Sequence, residues 1–205
     1  MEARQPDESW TRLIGYLGPI HDAVRGTARR LARDPAEGDD LFQEAVLRAH
    51  RKLSTLRHPD RFRGWFYAVL LSVHRSRSRR KSWRRFLSLE GEMARGFDPA
   101  GEASTDDPEE RPRAERVSRA LAGLNAGQRE AVILFELENF SIEEIAALQK
   151  VTVSAVKSRL QRGRERLRRF YEREGFVAAA SAEGSRTDRA PERVPPWACQ
   201  EGERS

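Results

Sequence analysis

The chain has 205 residues and carries 38 basic against 32 acidic side chains, so its net charge is +6. A hydrophobic fraction of 38% is sufficient for small cores, and this length accommodates one large domain or two small ones. The isoelectric point near 10.1 favours a polyanionic partner such as nucleic acid.

Cysteine and histidine usage excludes several other classes of protein. Cys199 is the single cysteine, so no disulfide framework is expected. The four histidines, His21, His50, His58 and His74, are scattered without cysteine partners, which argues against a zinc site. No apolar stretch is long enough to span a membrane and no signal peptide opens the chain. We therefore expect a cytoplasmic protein with no membrane insertion, no metal or other cofactor, and no small-molecule substrate.

Residues 9–87 predict a first helical domain, because apolar residues recur there at steps of three and four. The predicted elements, in chain order, are a helix over 9–33 that bends at Gly18-Pro19, a turn over 34–38, a helix over 39–52 with an acidic first turn, a loop over 54–61, and a helix from Phe62 to Arg80 or beyond.

The end of that third helix has a strongly basic composition. Between Arg75 and Arg85 seven residues are Arg or Lys and none is acidic, and Trp83 and Phe86 are interleaved with them. Cations follow a nucleic-acid backbone and aromatic rings stack on bases, so this segment is typical of contact with single-stranded or opened DNA. The alternative is a solvated helix end whose cations offset the helix dipole, but one or two cations are enough for that.

Residues 88–112 have the opposite charge, with eight acidic residues against two arginines and no periodicity. We interpret them as a flexible acidic linker. Helical periodicity resumes in a second domain over 113–174, and residues 175–205 have the composition of a disordered tail. The sequence thus predicts an all-α protein of two small helical domains.

The segment Ser141–Arg169 predicts a helix-turn-helix, a module that places its second helix in a DNA major groove. Ser141 and Glu144 form a capping box for the first helix, residues 149–152 form the turn, and Thr152 is a suitable N-cap for the second helix. The buried stripe of the second helix consists of Val153, Val156, Leu160, Gly163, Leu167 and Phe170. Gly163 in that stripe predicts close packing against a neighbouring helix.

The opposite side of the second helix is the predicted reading face. Side chains in the first turns of such a helix reach base edges, and later ones meet phosphates. An arginine such as Arg162 can bind a guanine with two hydrogen bonds. The candidate DNA-contacting residues are Ser154, Ala155, Lys157, Ser158, Arg159, Gln161 and Arg162. The alternative is an ordinary solvated basic face.

Taken together, the two blocks resemble a group IV, or extracytoplasmic-function (ECF), bacterial sigma factor of the sigma-70 family. The motifs that carry the resemblance are DDLFQEAVLRAHRKL at 39–53, FRGWFYAVLLSVHRSRSRR at 62–80 and LNAGQREAVILFELENFSIEEIAALQKVTVSAVKSRLQRGRERLRR at 124–169. The resemblance covers roughly residues 9–172. The helix-turn-helix alone is weak support, because response regulators with similar DNA-binding domains share it.

The resemblance implies that the first domain is a region 2 helical bundle, which docks on the clamp of core RNA polymerase. Asp40, Gln43 and Glu44 match the acid–Gln–Glu pattern of the family, and the docking residues implied are Asp39, Asp40, Gln43 and Glu44. The helix from Phe62 and the loop before it are then expected to recognise and melt the −10 element by capturing a flipped base. The −10 contacts implied are Leu56, Arg61, Arg63, Ser72, Arg75, Arg79, Arg80 and Lys81.

The second domain is similar to region 4, whose recognition helix reads the −35 element and which meets the polymerase flap. The acidic linker is expected to follow the RNA exit path. Relatives are commonly held inactive by an anti-sigma factor, which is therefore an expected partner. Two positions depart from the family pattern: Ser72 replaces a frequent asparagine, and Leu56 replaces a frequent aromatic residue.

Two alternatives remain beside a sigma factor. A stand-alone helix-turn-helix regulator would bind duplex DNA without polymerase and would give the 39–52 helix no role. A nucleic-acid enzyme would need carboxylates or metal ligands clustered in a pocket, and only Asp39, Asp40 and Glu44 form a group of that kind. Their place at a helix start is better explained by capping and a partner surface, so no catalytic residue is predicted.

Overall fold

The computed structural model describes residues 8–32, 34–87 and 110–174, and all regular structure in those ranges is helical, which confirms the all-α class. The chain divides into two compact units, an N-terminal unit up to Arg119 and a C-terminal unit from Ala120. The helices are α1 (Glu8–Leu17), α2 (His21–Leu31), α3 (Pro35–Lys52), α4 (Phe62–Leu87), α5 (Glu110–Ala122), α6 (Ala126–Val132), α7 (Ile142–Gln149) and α8 (Val153–Arg173), and a π-helical turn over Ile133–Leu137 continues α6.

The N-terminal unit is a bundle of α1 to α4 around an apolar core. The predicted bend at Gly18-Pro19 is a short 3₁₀ turn between α1 and α2. The ring of Trp10 on α1 stacks on that of His50 on α3, with ring centroids 4.0 Å apart. The fully buried side chains include Leu13, Val24, Leu31, Leu41, Phe66, Tyr67, Leu70, Leu71 and Val73.

Helix α3 begins four residues earlier than the sequence predicted, so the expected turn over 34–38 is wrong. Asp34 is extended, and its carboxylate accepts a hydrogen bond from the amide of Ala36 at 2.7 Å. Pro35 stands at the first helical position, where a missing amide hydrogen costs nothing. The Asp-Pro pair is therefore an N-cap followed by a helix start.

Gly38 lies inside α3 because α2 passes very close to it. A Cβ atom added at Gly38 would lie 2.4 Å from the backbone Cα of Arg29 and 2.9 Å from its backbone nitrogen. Backbone atoms cannot move aside as a flexible side chain would. Gly38 thus sets the separation of α2 and α3.

Helix α4 carries the basic segment on continuous helix as far as Leu87. The predicted loop over 54–61 contains two short 3₁₀ turns, Leu53–Thr55 and Pro59–Arg61. No helix in the described ranges is both long and apolar enough to cross a membrane.

The C-terminal unit contains the predicted helix-turn-helix, formed by α7 and α8. Ser141 and Glu144 make the predicted capping box, and the Thr152 hydroxyl accepts from the amide of Ala155 at 3.2 Å. Lys150 ends α7 in the left-handed conformation, with φ 54°. A Cβ atom at Gly163 would lie 2.8 Å from Cγ2 of Val132, which confirms the close packing predicted there.

The predicted linker and the predicted C-terminal tail lie largely outside the described residues. Helix α5 begins at Glu110, so the last three residues of the predicted linker, 110–112, are helical instead. The remaining linker residues, 88–109, and the predicted tail, 175–205, lie outside the described residues.

The packing at Gly38 predicts that Gly38→Ala destabilises the N-terminal unit by about 1–3 kcal/mol, because the new methyl group overlaps the backbone of α2. Gly15→Ala is the matched control: no atom lies within 4 Å of a Cβ placed there. It should raise stability by about 0.5–1 kcal/mol through helix propensity. Three of the four tryptophans belong to this unit, so fluorescence during denaturation reports its unfolding. Equal stability of the two variants would contradict the close approach.

Candidate nucleic-acid and protein interfaces

The outward side of α8 presents most of the predicted reading face. Ser154, Lys157, Gln161 and Arg162 are exposed, and Ala155 and Ser158 are half-buried. The Thr152 cap starts the helix just before these residues, so their side chains occupy its first three turns. The side chain of Arg162 extends back along the helix surface, where its Nε donates to the backbone carbonyl of Ser158 at 3.2 Å. Small side chains near the start and cations beyond them form a surface suited to a DNA groove.

Arg159 is the exception among the predicted reading residues, because its side chain turns into the domain. Its Nη1 donates to Oε1 of Gln149 at 2.6 Å, and the residue is half-buried. The sequence placed it on a flank of the exposed face. Helical geometry alone does not reveal that a polar partner at the end of α7 holds it.

The basic segment of α4 is partly neutralised by acidic residues of α3. Nε of Arg77 lies 2.9 Å from a carboxylate oxygen of Glu44, and Lys81 forms an ion pair with Glu37. Nη1 of Arg77 also donates to the backbone carbonyl of Glu37 at 3.2 Å. These contacts fix the C-terminal half of α4 against the start of α3.

The remaining predicted −10 residues lie along the same helix and the turn before it. Arg79 and Arg80 are exposed, and Nη2 of Arg79 donates to the hydroxyl of Ser76 at 3.3 Å. Ser72 is exposed and Arg75 is half-buried. All of these positions belong to α4, and together they form a cationic, solvent-accessible strip.

Two further predicted arginines stand where α4 begins: Arg61 ends the 3₁₀ turn before the helix and Arg63 lies in its first turn. Leu56, in the loop before them, is half-buried. The guanidinium of Arg63 lies 5.5 Å from the ring centroid of Tyr67, a cation–π contact. Arg61 is half-buried, and its Nε is buried with no hydrogen-bond partner among the described residues.

The predicted docking residues of α3 separate into two groups. Asp40 and Gln43 are exposed, and Leu47, one turn further on, is 49% exposed. Residues spaced by three and four share one helix face, so these three side chains form an outward surface, which we call the α3 face. Leu47 is not among the predicted docking residues, although its spacing of four residues from Gln43 places both on one helix face.

Asp39 and Glu44 face neighbouring helices. The carboxylate of Asp39 accepts hydrogen bonds from Nε and Nη2 of Arg25, at 2.9 and 3.2 Å, and from the same atoms of Arg29, at 2.9 and 2.8 Å. Glu44 pairs with Arg77 and, more loosely, with Arg48 at 3.6 Å. Asp39 is therefore a structural residue that ties α3 to α2.

The contact of Asp39 with two arginines shifts the pKa of Asp39 and that of Arg25. Hydrogen bonds from Arg29 and Arg25 hold the pKa of Asp39 well below its usual range, despite an opposing contribution from burial. The hydrogen bond and the charge of Asp39 raise the pKa of Arg25.

Within the described residues, no group of three or more His, Cys, Asp or Glu side chains is arranged to hold a metal ion.

Two protein-family models match different parts of the chain. The chain matches Sigma-70 region 2 over residues 19–84 and Sigma-70, region 4 over residues 114–167. The ECF RNA polymerase sigma factor SigE of Mycolicibacterium smegmatis is 31% identical over 176 residues, which are 85% of this chain and 66% of that protein. The ECF RNA polymerase sigma factor SigM of Mycobacterium tuberculosis is 30% identical over 150 residues, 73% of this chain and 72% of that protein.

A solved structure shows the same fold. The sigma factor RpoE from Bartonella quintana, in complex with the anti-sigma factor NepR, aligns with a TM-score of 0.62 and 26% identity. The alignment covers 76% of this chain and 94% of that one.

The Asp39 contact predicts a stability change that depends on pH. Because the folded state lowers the pKa of Asp39, its stabilisation is fully present above the ordinary aspartate value of about 3.9 and is lost as the pH falls through the folded value. Asp39→Asn should cost about 2 kcal/mol near pH 7, and the deficit should shrink below about pH 4.

Asp40→Asn serves as the control, because Asp40 is the adjacent residue and its side chain is exposed. It should change stability by less than about 0.5 kcal/mol at neutral pH. Denaturant titrations at several pH values make the comparison. A deficit of Asp39→Asn that stays constant down to pH 2 would contradict the assignment.

Proposed function

This chain belongs to the ECF group of the sigma-70 family of RNA polymerase sigma factors, and we propose that it directs core RNA polymerase to promoters through three surfaces of its two helical units. Sigma factors confer promoter specificity and are regulatory, not catalytic. The observation that carries the proposal is the combination of an N-terminal unit that offers the α3 face and the α4 strip with a C-terminal helix-turn-helix.

The reading face of α8 is proposed to contact the −35 element in the major groove. Ser154, Ala155 and Ser158 are small enough for the helix to approach base edges closely. Lys157 and Arg162 supply the positive charge, and Arg162 can reach a guanine once it leaves the Ser158 carbonyl. Gln161 completes this surface, from which we omit Arg159.

The α4 strip and the turn before it are proposed to recognise and melt the −10 element. Opening DNA requires unstacking of bases, which costs a few kcal/mol, and a cationic path for the displaced strand offsets part of that cost. Arg61, Arg63, Arg75, Arg79 and Arg80 line this region of the N-terminal unit. Arg77 and Lys81 form ion pairs with acidic residues of α3, which offset part of their charge.

The α3 face is proposed to dock on the clamp of core polymerase, and the C-terminal unit on the flap. Asp40 and Gln43 provide polar contacts at the edge of an exposed leucine, an arrangement suited to a protein partner. Glu44 belongs to this surface only in part, because Arg77 occupies one side of its carboxylate. We place this activity in the cytoplasm, where polymerase and chromosome are found.

An anti-sigma factor is the proposed regulatory partner. The support is the complex of the similar Bartonella protein with NepR. The stand-alone regulator is disfavoured, because it leaves the region 2 match and the α3 face without a role.

Transcription with purified bacterial core polymerase tests the proposal directly. Genomic DNA fragments from the source organism are transcribed with and without the protein, and the 5′ ends of the RNA are mapped. The proposal predicts new, protein-dependent starts that share two spaced upstream motifs. Retained DNA binding without any new start would favour the stand-alone regulator.

The two kinds of α8 contact are expected to behave differently in promoter binding. Arg162→Ala should relax the preference at one base pair of the −35 element at a cost of about 1–3 kcal/mol, because a base contact is lost. Lys157→Ala should weaken binding to all sequences and reduce the salt slope by about 1. Holoenzyme binding to mapped promoters with single −35 substitutions measures both. Identical specificity profiles for the two variants would contradict the assignment.

The α3 face predicts that the double variant Asp40→Asn/Gln43→Ala weakens binding to core polymerase by roughly tenfold, because both polar contacts are lost. Lys52→Ala is the matched control, since Lys52 is exposed on the opposite side of the same helix from Gln43. Titration of labelled protein with core enzyme measures the affinities. Equal affinities of the two variants would contradict the docking surface.

A further inference from the structure

A buried polar network connects α6, α7 and α8 in the C-terminal unit. Its centre is Gln149, the last residue of α7, which is only 6% exposed. Nε2 of Gln149 donates to the carbonyl of Gly127 at 3.0 Å and to Oε2 of Glu130 at 3.2 Å. Oε1 of Gln149 accepts from Nη1 of Arg159 at 2.6 Å. One amide thereby joins three helices.

The partners fix the orientation of that amide. A glutamine amide has a donor end and an acceptor end, and here the donor end meets two oxygens while the acceptor end meets a guanidinium. Rotating the amide by 180° would set its carbonyl against the carboxylate of Glu130. Glu130 is 2% exposed, so an unfavourable contact there could not be relieved by water.

The guanidinium of Arg159 packs closely against Gly127, which has no side chain. A Cβ atom at Gly127 would lie 3.2 Å from both Cζ and Nε of Arg159, closer than ordinary van der Waals contact. The guanidinium thus lies over the first turn of α6 and not beside the exposed residues of α8. Its charge also faces the interior, where Gln149 connects it to the buried carboxylate of Glu130.

We propose that Arg159 is a positioning residue: through Gln149 it sets the orientation of α8 on α6 and α7, and so the reach of the −35 contacts. This inference rests on the proposed function of the α8 reading face. Contacts with base edges tolerate displacements of about 0.5 Å. Loss of the Arg159 contact therefore affects every base contact of the helix, whereas loss of a base-contacting side chain affects one position.

The test compares variants of the full chain in holoenzyme with core polymerase. The probe is a promoter mapped with the unsubstituted protein, together with each single base-pair change in its −35 element. Open-complex formation is measured for each DNA, and thermal unfolding shows that the variants are folded. Arg159→Ala and Gln149→Met remove the two sides of the contact, and Arg162→Ala is the control for a direct base contact.

The proposal predicts that Arg159→Ala lowers promoter use at least about fivefold and reduces discrimination at all −35 positions. Gln149→Met, which lies away from the reading face, should reproduce this profile, and the double variant should be no worse than either single variant. Arg162→Ala should instead lose discrimination at one position. A change in stability alone would leave the discrimination ratios unchanged below the unfolding temperature.

A second variant covers the case in which Gln149→Met does not fold. Gly127→Ala adds a methyl group against the guanidinium of Arg159 and alters no residue of α8. Because the guanidinium need move by only a few tenths of an ångström, Gly127→Ala should produce a smaller loss than Arg159→Ala, again spread across all −35 positions.

Three results would contradict either the positioning role of Arg159 or the proposed function on which it rests. A loss confined to one base pair in Arg159→Ala, with Gln149→Met and Gly127→Ala unaffected, would make Arg159 a DNA contact and overturn the proposal. Coupling of Gln149 and Arg159 in thermal unfolding without any change in discrimination would overturn the positioning role alone. Absence of −35 dependence in the unsubstituted holoenzyme would overturn the proposed function itself.

Discussion

Charge pairing along α3 orients the helices of the N-terminal unit around their apolar core. Asp39 ties the helix to Arg25 and Arg29 of α2, and Glu44 with Arg77 ties it to α4. Gly38 brings α2 and α3 into backbone contact beside the Asp39 pairs, so their geometry is held by shape as well as charge. Glu37, Asp39 and Glu44 are engaged in such pairs, whereas Asp40 is an exposed acid of α3 that stays available to a partner. The Glu44–Arg77 pair also holds the basic half of α4 against α3.

In the C-terminal unit, the helices are joined through the neutral side-chain amide of Gln149. A recognition helix must be held firmly, yet its outer face must stay free for DNA. Here capping side chains fix the first turns of α7 and α8, and Gly163 allows α8 to pack closely on Val132. The buried amide of Gln149 links three helices. Each unit therefore presents a cationic surface whose direction is set by buried or half-buried polar contacts. Separate units of this kind suit a protein that must contact two promoter elements and a polymerase.

Local signals in the sequence predicted the helix-turn-helix well, because capping residues, the turn and the apolar stripe are all encoded within about 30 consecutive residues. The all-α class and the bend at Pro19 were predicted for the same reason. What the sequence did not reveal depends on distant residues. Arg159 and Asp39 are charged residues on amphipathic helices, and periodicity cannot distinguish an exposed charge from one that has a partner on another helix. The early start of α3 has a local cause, because an Asp-Pro pair occurs in turns and also caps and begins a helix, as Asp34-Pro35 does here.

The central claim, that this chain recognises promoters as part of a polymerase holoenzyme, is tested most directly by promoter melting. A mapped promoter carrying a fluorescent base analogue in its −10 element is mixed with the protein, with core polymerase, or with both. We expect a fluorescence increase only with both, because the proposed melting by the α4 strip requires DNA that polymerase and α8 have aligned. Tight promoter binding by the protein alone, with no melting when core enzyme is added, would contradict it.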